Sequence, residues 1–188
     1  AFRYAPPYAE DALRQMAADG VKRAVAFSQY PHYSCTTAGS SFNNLWRESY
    51  RLGMEGDFEW SVLDRWPTQP TFIKALTQRV QQGLETVPEA VRAQTIVVFT
   101  AHSVPMKVVN KGDQYVSEVA ATAHAVMQEL WAQQGPAAPD QRNTHVLAWQ
   151  SKVGFLPWMG PSTSDVLKNL ARQGHQHVLM VPIAFTSD

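Results

Sequence analysis

The run Thr95-Ile-Val-Val-Phe-Thr100 limits the fold more than any other part of the chain, because it is its clearest strand. Around it, short β-branched runs alternate with longer amphipathic ones. The spacing predicts helices over 9–20, ended by Gly20, and over 38–52, with Arg23-Ala-Val-Ala-Phe-Ser28 between them as a buried strand. Trp60-Ser-Val-Leu-Asp64 reads as a short strand. It is followed by a helix over 70–84 whose Phe72, Leu76, Val80 and Leu84 recur every fourth residue. A helix over 113–134 carries Val116, Val119, Ala120, Ala123, Val126, Met127 and Leu130 on one face. Residues 134–140, rich in Gly and Pro, form a loop. Then come strand Thr144–Trp149, helix Ser162–Arg172 closed by Gly174, and strand His177–Phe185. Ser162 is suited to cap that helix, with Asp165 in its first turn favouring the dipole. Strands alternating with helices imply βαβ crossovers and a mostly parallel sheet.

In open parallel sheets, ligands bind beyond the carboxyl ends of the strands. The residues there are Gln29-Tyr30-Pro31, Arg65-Trp66-Pro67, Ala101-His102-Ser103, Gln150-Ser151-Lys152 and Thr186-Ser187-Asp188. Composition narrows what can bind. Lys+Arg and Asp+Glu are both 16, so the basic footprint that nucleic acid requires is missing. No apolar run reaches the roughly 20 residues that cross a bilayer, so any membrane contact is expected to be peripheral. A single cysteine, Cys35, excludes an internal disulfide framework and any CxxC site, but can contribute one ligand to a site completed elsewhere. The chain lacks an initiating Met and ends directly off a strand, so we expect a fragment.

His102 stands at the tip of the best strand and can exchange protons near neutral pH, because an unperturbed imidazole titrates at about 6.5. A purely structural histidine in the first loop turn accounts for it equally well. Ser103 beside it is no nucleophile elbow, since Ala-His-Ser-Val-Pro lacks both glycines of GxSxG. A turn or capping role suits it better. The segment Thr36-Thr-Ala-Gly-Ser-Ser41 has no phosphate-loop spacing. It can dock an anion at a helix start or simply cap the helix. The loop Gly154-Phe-Leu-Pro-Trp-Met-Gly-Pro161 is apolar at a strand end, which suits a flat aromatic ligand or a lipid surface; its alternative is to fold back into the core. Arg3, Tyr4, Arg47, Arg65 and Lys152 can neutralise ligand carboxylates, although surface charge is the default for each. His124, His175 and His177 are assigned to structure or solvent.

Longer strings carry a resemblance. Gln29-Tyr-Pro-His-Tyr-Ser-Cys-Thr-Thr-Ala-Gly-Ser-Ser41, Trp60-Ser-Val-Leu-Asp-Arg-Trp-Pro67 and Phe99-Thr-Ala-His-Ser-Val-Pro-Met106 are similar to ferrochelatase segments. So are Val108-Val-Asn-Lys-Gly-Asp113, Trp149-Gln-Ser-Lys-Val-Gly154 and Val181-Pro-Ile-Ala-Phe-Thr-Ser-Asp188. The resemblance implies an α/β, Rossmann-like chelatase fold of two similar lobes with a porphyrin cleft between them. Residues 1–92 would be the remainder of the first lobe and 93–188 the start of the second. It implies a lyase of haem biosynthesis that inserts Fe2+ into protoporphyrin IX. His102 matches the family's proton-accepting histidine and is a possible iron contact. Arg3, Tyr4, Trp66, Ser103, Ser151 and Trp158 would line the porphyrin site, and Cys35 matches a ligand of the [2Fe–2S] cluster of animal-type members, whose other three ligands lie outside this chain. The resemblance further implies a homodimer in contact with the matrix side of the mitochondrial inner membrane. It places the family's catalytic Glu beyond Asp188, so this polypeptide is expected to be inactive alone. Gln69 and Pro70 stand where animal members carry histidines linked to metal entry. Two other readings stay open: a chelatase for a different metal and tetrapyrrole, and a non-catalytic porphyrin- or haem-binding truncated isoform.

Overall fold

The computed structural model describes residues 1–135 and 142–186, so most of the Gly/Pro loop expected over 134–140, together with Ser187 and Asp188, lies outside the described residues. The chain forms two compact units, Ala1–Trp66 and Pro67–Asp188.

The first unit contains α1 (Ala9–Ala18), β1 (Arg23–Phe27), α2 (Ala38–Arg51) and β2 (Glu59–Leu63). β1 and β2 pair in parallel, with Ala24 opposite Trp60 and Phe27 opposite Leu63. Leu13, Ala24 and Phe58 form the core, with Met16, Leu45, Leu52 and Trp60 packed around it. β1 is not the fully buried strand its composition suggested. Ala24 and Ala26 point inward, whereas Arg23, Val25 and Phe27 are exposed. Every second residue of a strand faces the same way, and an unbroken apolar run does not say which set is covered.

The second unit contains α3 (Pro70–Glu85), α4 (Glu89–Arg92), β3 (Ile96–His102), α5 (Met106–Val109), α6 (Tyr115–Gln134), β4 (His145–Gln150), α7 (Thr163–Arg172) and β5 (Val178–Pro182). Its sheet runs β4-β3-β5, all parallel, as the alternation of elements implied. β3 is central and buried from Ile96 to Ala101. Val97, Phe99 and Ala101 share a core with Ile73, Val80 and Leu84 of α3 and with Val119, Ala123, Met127 and Leu130 of α6. Ile96 and Val98, on the opposite face, pack with Ala148, Val166 and Leu170. Each Val, Ile, Leu, Phe or Met among them contributes about 1.5–3 kcal/mol on leaving water. α3 packs against α6 and β5, and α4 packs against α3, within the compact unit that begins at Pro67.

Local signals fix several boundaries. Gln69 caps α3, its Oε1 accepting from Phe72 N at 2.8 Å, and Pro70 takes the first helical position, where its missing N–H costs nothing. The Ser162 hydroxyl accepts from Asp165 N at 3.2 Å, giving the expected cap of α7. Buried Asn143 sets the entry to β4. Its amide donates to Arg92 O (2.8 Å) and Thr95 O (2.9 Å), and its side-chain oxygen accepts from Gln134 at 3.0 Å.

Candidate active site

In the second unit the functional candidates converge on the carboxyl ends of β3 and β4. His102 is the last residue of β3, opposite Gln150 of β4, and its side chain is exposed while the six residues before it are buried. On the other side, β5 leaves earlier: the pairing ends at Thr100 opposite Pro182, and Ile183 N donates to Thr100 O at 3.0 Å. His102 therefore projects one step beyond the β5 edge. Tyr115, the first residue of α6, lies against this tip. It is buried in the core, its ring centroid 6.1 Å from that of Trp149. Burial pushes its phenol up to about 12, partly opposed by a hydrogen bond from the His102 backbone, whose one donor is its N–H. Periodicity started the apolar face of this helix at Val116. The face starts at Tyr115, and an aromatic residue four positions before Val119 was the signal available.

Ser103 is buried. Its hydroxyl donates to Met159 O at 2.7 Å and its N–H to Gln150 O at 2.8 Å, which is a turn-holding role. That bond belongs to a set that ties the apolar loop to the segment after His102. Met159 N donates to Val104 O (2.9 Å), Met106 N donates to Pro157 O (3.0 Å), and Trp158 bridges Pro105. The loop does not fold back as core: Phe155 is 94% exposed, Val153 and Leu156 are exposed too, and Met159 packs inward. Trp158 is half-buried beside the bridge, and Lys152 is exposed. Ser151, one residue past the partner of His102, holds a left-handed backbone with φ 63°. Thus His102, Ser103, Ser151 and Trp158 are neighbours along one sheet end.

The remaining candidates lie in the first unit. The Arg3 guanidinium sits 5.0 Å over the exposed Tyr4 ring. Arg3 also borders an open concavity of about 420 Å³ with Glu10, Glu48 and Arg51, where Arg51 pairs with both carboxylates. Trp66 stacks on Phe27 at 6.1 Å, and its indole N–H donates to Ser28 O at 2.8 Å. Arg65 pairs with Asp64 at 3.0 Å and lies 4.3 Å over the Tyr33 ring, while Arg47 is exposed. Cys35 is exposed in the turn before α2. α2 starts at Ala38, and no side chain caps it. His32 is buried, and burial holds its imidazole down at about 4. Sequence reasoning did not single out His32. A loop histidine between Pro31 and Tyr33 shows no periodicity from which burial can be read.

His124 and His175 are exposed and His177 is half-buried. Among the described residues no three His, Cys, Asp or Glu side chains are grouped to hold a metal ion. A [2Fe–2S] cluster takes four protein ligands and this chain offers one thiolate, so the residues present do not fit that group on their own. No helix among the described residues is long and apolar enough to cross a membrane.

A parallel sheet whose central strand ends in an accessible imidazole is an α/β framework of the kind that binds its ligand at the strand tips. Comparison with known families is more specific. The family model described as ferrochelatase matches residues 1–188. The chain belongs to the ferrochelatase family. It is 51% identical over 188 residues to the mitochondrial ferrochelatase of Schizosaccharomyces pombe, covering all of this chain and 42% of that protein. It is 44% identical over 187 residues to that of Bos taurus and 43% identical over 187 residues to that of Homo sapiens, again over all of this chain and 43% and 42% of theirs. The chain thus spans less than half the length of the curated relatives it matches.

Proposed function

We propose that this chain is the part of a protoporphyrin ferrochelatase that carries its proton acceptor, His102. The observation that carries the reading is the accessible imidazole at the tip of the buried central strand β3. Inserting Fe2+ into a free-base porphyrin forms metal–nitrogen bonds and releases two pyrrole protons. Each proton needs an acceptor as the metal enters, and a neutral imidazole at the ring supplies one. Puckering the macrocycle turns the nitrogen lone pairs toward the metal. An apolar, aromatic wall can impose that distortion at a cost of a few kcal/mol drawn from binding.

Trp158 and the loop bearing Phe155 and Leu156 form such a wall, held in place by Ser103, which acts through the Met159 carbonyl. Ser151 adds a polar group at the same sheet end. Arg3 and Tyr4 suit the propionates and face of the macrocycle, and Trp66 adds an aromatic surface. The exposed apolar loop also suits peripheral contact with a lipid surface. The naming of the relatives as mitochondrial supports a mitochondrial location, and we place the complete protein on the matrix face of the inner membrane as a homodimeric lyase of haem biosynthesis. Cys35 would be one ligand of a cluster, and no chemical step is assigned to it.

The test is His102→Ala in the complete protein, with zinc as the inserted metal. Insertion should fall by about 10²-fold or more, with porphyrin affinity, read by fluorescence quenching, changed by less than about threefold. Near-normal insertion overturns the proton-acceptor role.

A further inference from the structure

We propose that Ser103 is a positioning residue: its hydroxyl fixes the Trp158 wall at a set spacing from the His102 imidazole. The proposal rests on the reading of Trp158 as porphyrin wall and of His102 as proton acceptor. Ser103 is only 2% exposed, so it has little surface to offer a ligand. Its hydroxyl has one hydrogen to donate, and that hydrogen goes to Met159 O at 2.7 Å. The residue is itself anchored, because its N–H donates to Gln150 O at 2.8 Å and so carries the pairing with β4 one residue past His102. The side chain that reaches the loop therefore stands next to the imidazole in the chain, on backbone that β4 holds.

Along the loop the ties come in sequence. Pro157 O accepts from Met106 N at 3.0 Å and Met159 N donates to Val104 O at 2.9 Å, so backbone bonds hold the peptides on both sides of Trp158. Further on, Pro161 O accepts from Trp149 N at 2.9 Å. Between these points lies the Met159–Gly160 peptide, and glycine has the widest torsional freedom of any residue. Its chain neighbours aside, a Cβ at Gly160 would meet only Ser162 N, at 3.8 Å, so packing does not confine this position. The Ser103 hydroxyl holds the carbonyl of that peptide, and it is the one side-chain hydrogen bond to residues 157–161 among the described residues. Residues 151–157 are exposed along their whole length and give Trp158 no support from the other side. Without the hydroxyl, the loop can swing about Gly160 and carry the indole with it. A group misplaced by about 1 Å costs up to about 10²-fold in rate.

The experiment is a double-mutant cycle in the complete protein: Ser103→Ala, Trp158→Ala and the pair, each in the zinc-insertion assay beside His102→Ala. Alanine fits the same space and removes only the hydroxyl. We expect Ser103→Ala to lower kcat/KM for porphyrin by about 3- to 30-fold with Trp158 present, and by less than about twofold once Trp158 is already alanine. Ser103→Cys, whose thiol is a weaker donor, should fall between serine and alanine, and it replaces alanine in the cycle if that variant does not fold. An equal loss in both backgrounds overturns the proposal, since it describes a hydroxyl that acts through some group other than Trp158. A Ser103→Ala enzyme within about twofold of the parent, beside impaired Trp158→Ala and His102→Ala, overturns the positioning role alone. Near-normal insertion by Trp158→Ala or by His102→Ala overturns that part of the functional reading, and this proposal with it.

Discussion

The two units use apolar sequence in opposite ways. β3 has a strand on each side and a core on each face: α3 and α6 meet Phe99, while α7 meets Val98. β1 has one paired edge and one covered face, so Val25 and Phe27 are exposed although they are as apolar as anything in β3. That four-sided confinement runs from Ile96 to Thr100, and His102 projects one step beyond the β5 edge. The exposed His102 thus stands at the end of a strand covered along its length, whereas the first unit offers surfaces, with rings and guanidinium groups stacked along its loops. Rigidity at one strand and adaptability at the other follow from the number of neighbours, not from composition.

That contrast can be broken by substitution. Phe99→Ala should cost the whole protein about 3–5 kcal/mol, read from denaturant midpoints, because both the transfer of the ring and the cavity it leaves are unfavourable. A loss near 1 kcal/mol would mean that β3 is less confined than described. A smaller effect should come from His32. Burial keeps its imidazole near 4, against 6.5 for an ordinary histidine. The unfolded chain takes up a proton below about 6.5 and the folded chain does not, so stability is full above that pH and declines as pH falls toward 4. The slope is at most about 1.4 kcal/mol per pH unit, so roughly 2 kcal/mol is lost by pH 5. Hydrogen exchange at the α1 and β1 amides should report this slope, and His32→Gln should flatten it there. The second unit has its own depressed histidine, His145, lowered by burial and by nearby His124, and amides around it should keep their acid sensitivity in the variant. An unaltered slope in α1 and β1 would detach that unit's acid response from His32. The smallest effect is expected from Phe27→Ser. Half of that side chain is exposed already, so it should change stability by less than about 1 kcal/mol.

Much of this arrangement was legible in the residues. Period and punctuation were enough for the five strands among the described residues, the longer helices and the parallel pairing, and His102 was visible as the end of the strongest β run. Three features were not. α4 and α5 are four residues each, too short to show a period. The facing of β1 was hidden because all its alternating positions except Arg23 are apolar. The tethers from Val104 and Met106 to the loop at 157–159 join backbones more than 50 positions apart, and peptide groups carry no sequence signature. Gln69 shows the reverse case. In sequence it stands out only as a departure from the pattern of animal members, and in the folded chain it is a helix cap.

Ser151 carries a wider implication. Its left-handed backbone stands one step beyond the partner of His102, in a region of conformational space that disfavours β-branched and bulky side chains and is tolerated best by Gly, Asn and Asp. Whatever wall is wanted at that spot, evolution and engineers alike must draw it from a short alphabet of small, polar residues. New side chains are accordingly easier to introduce in the neighbouring loop than at this turn.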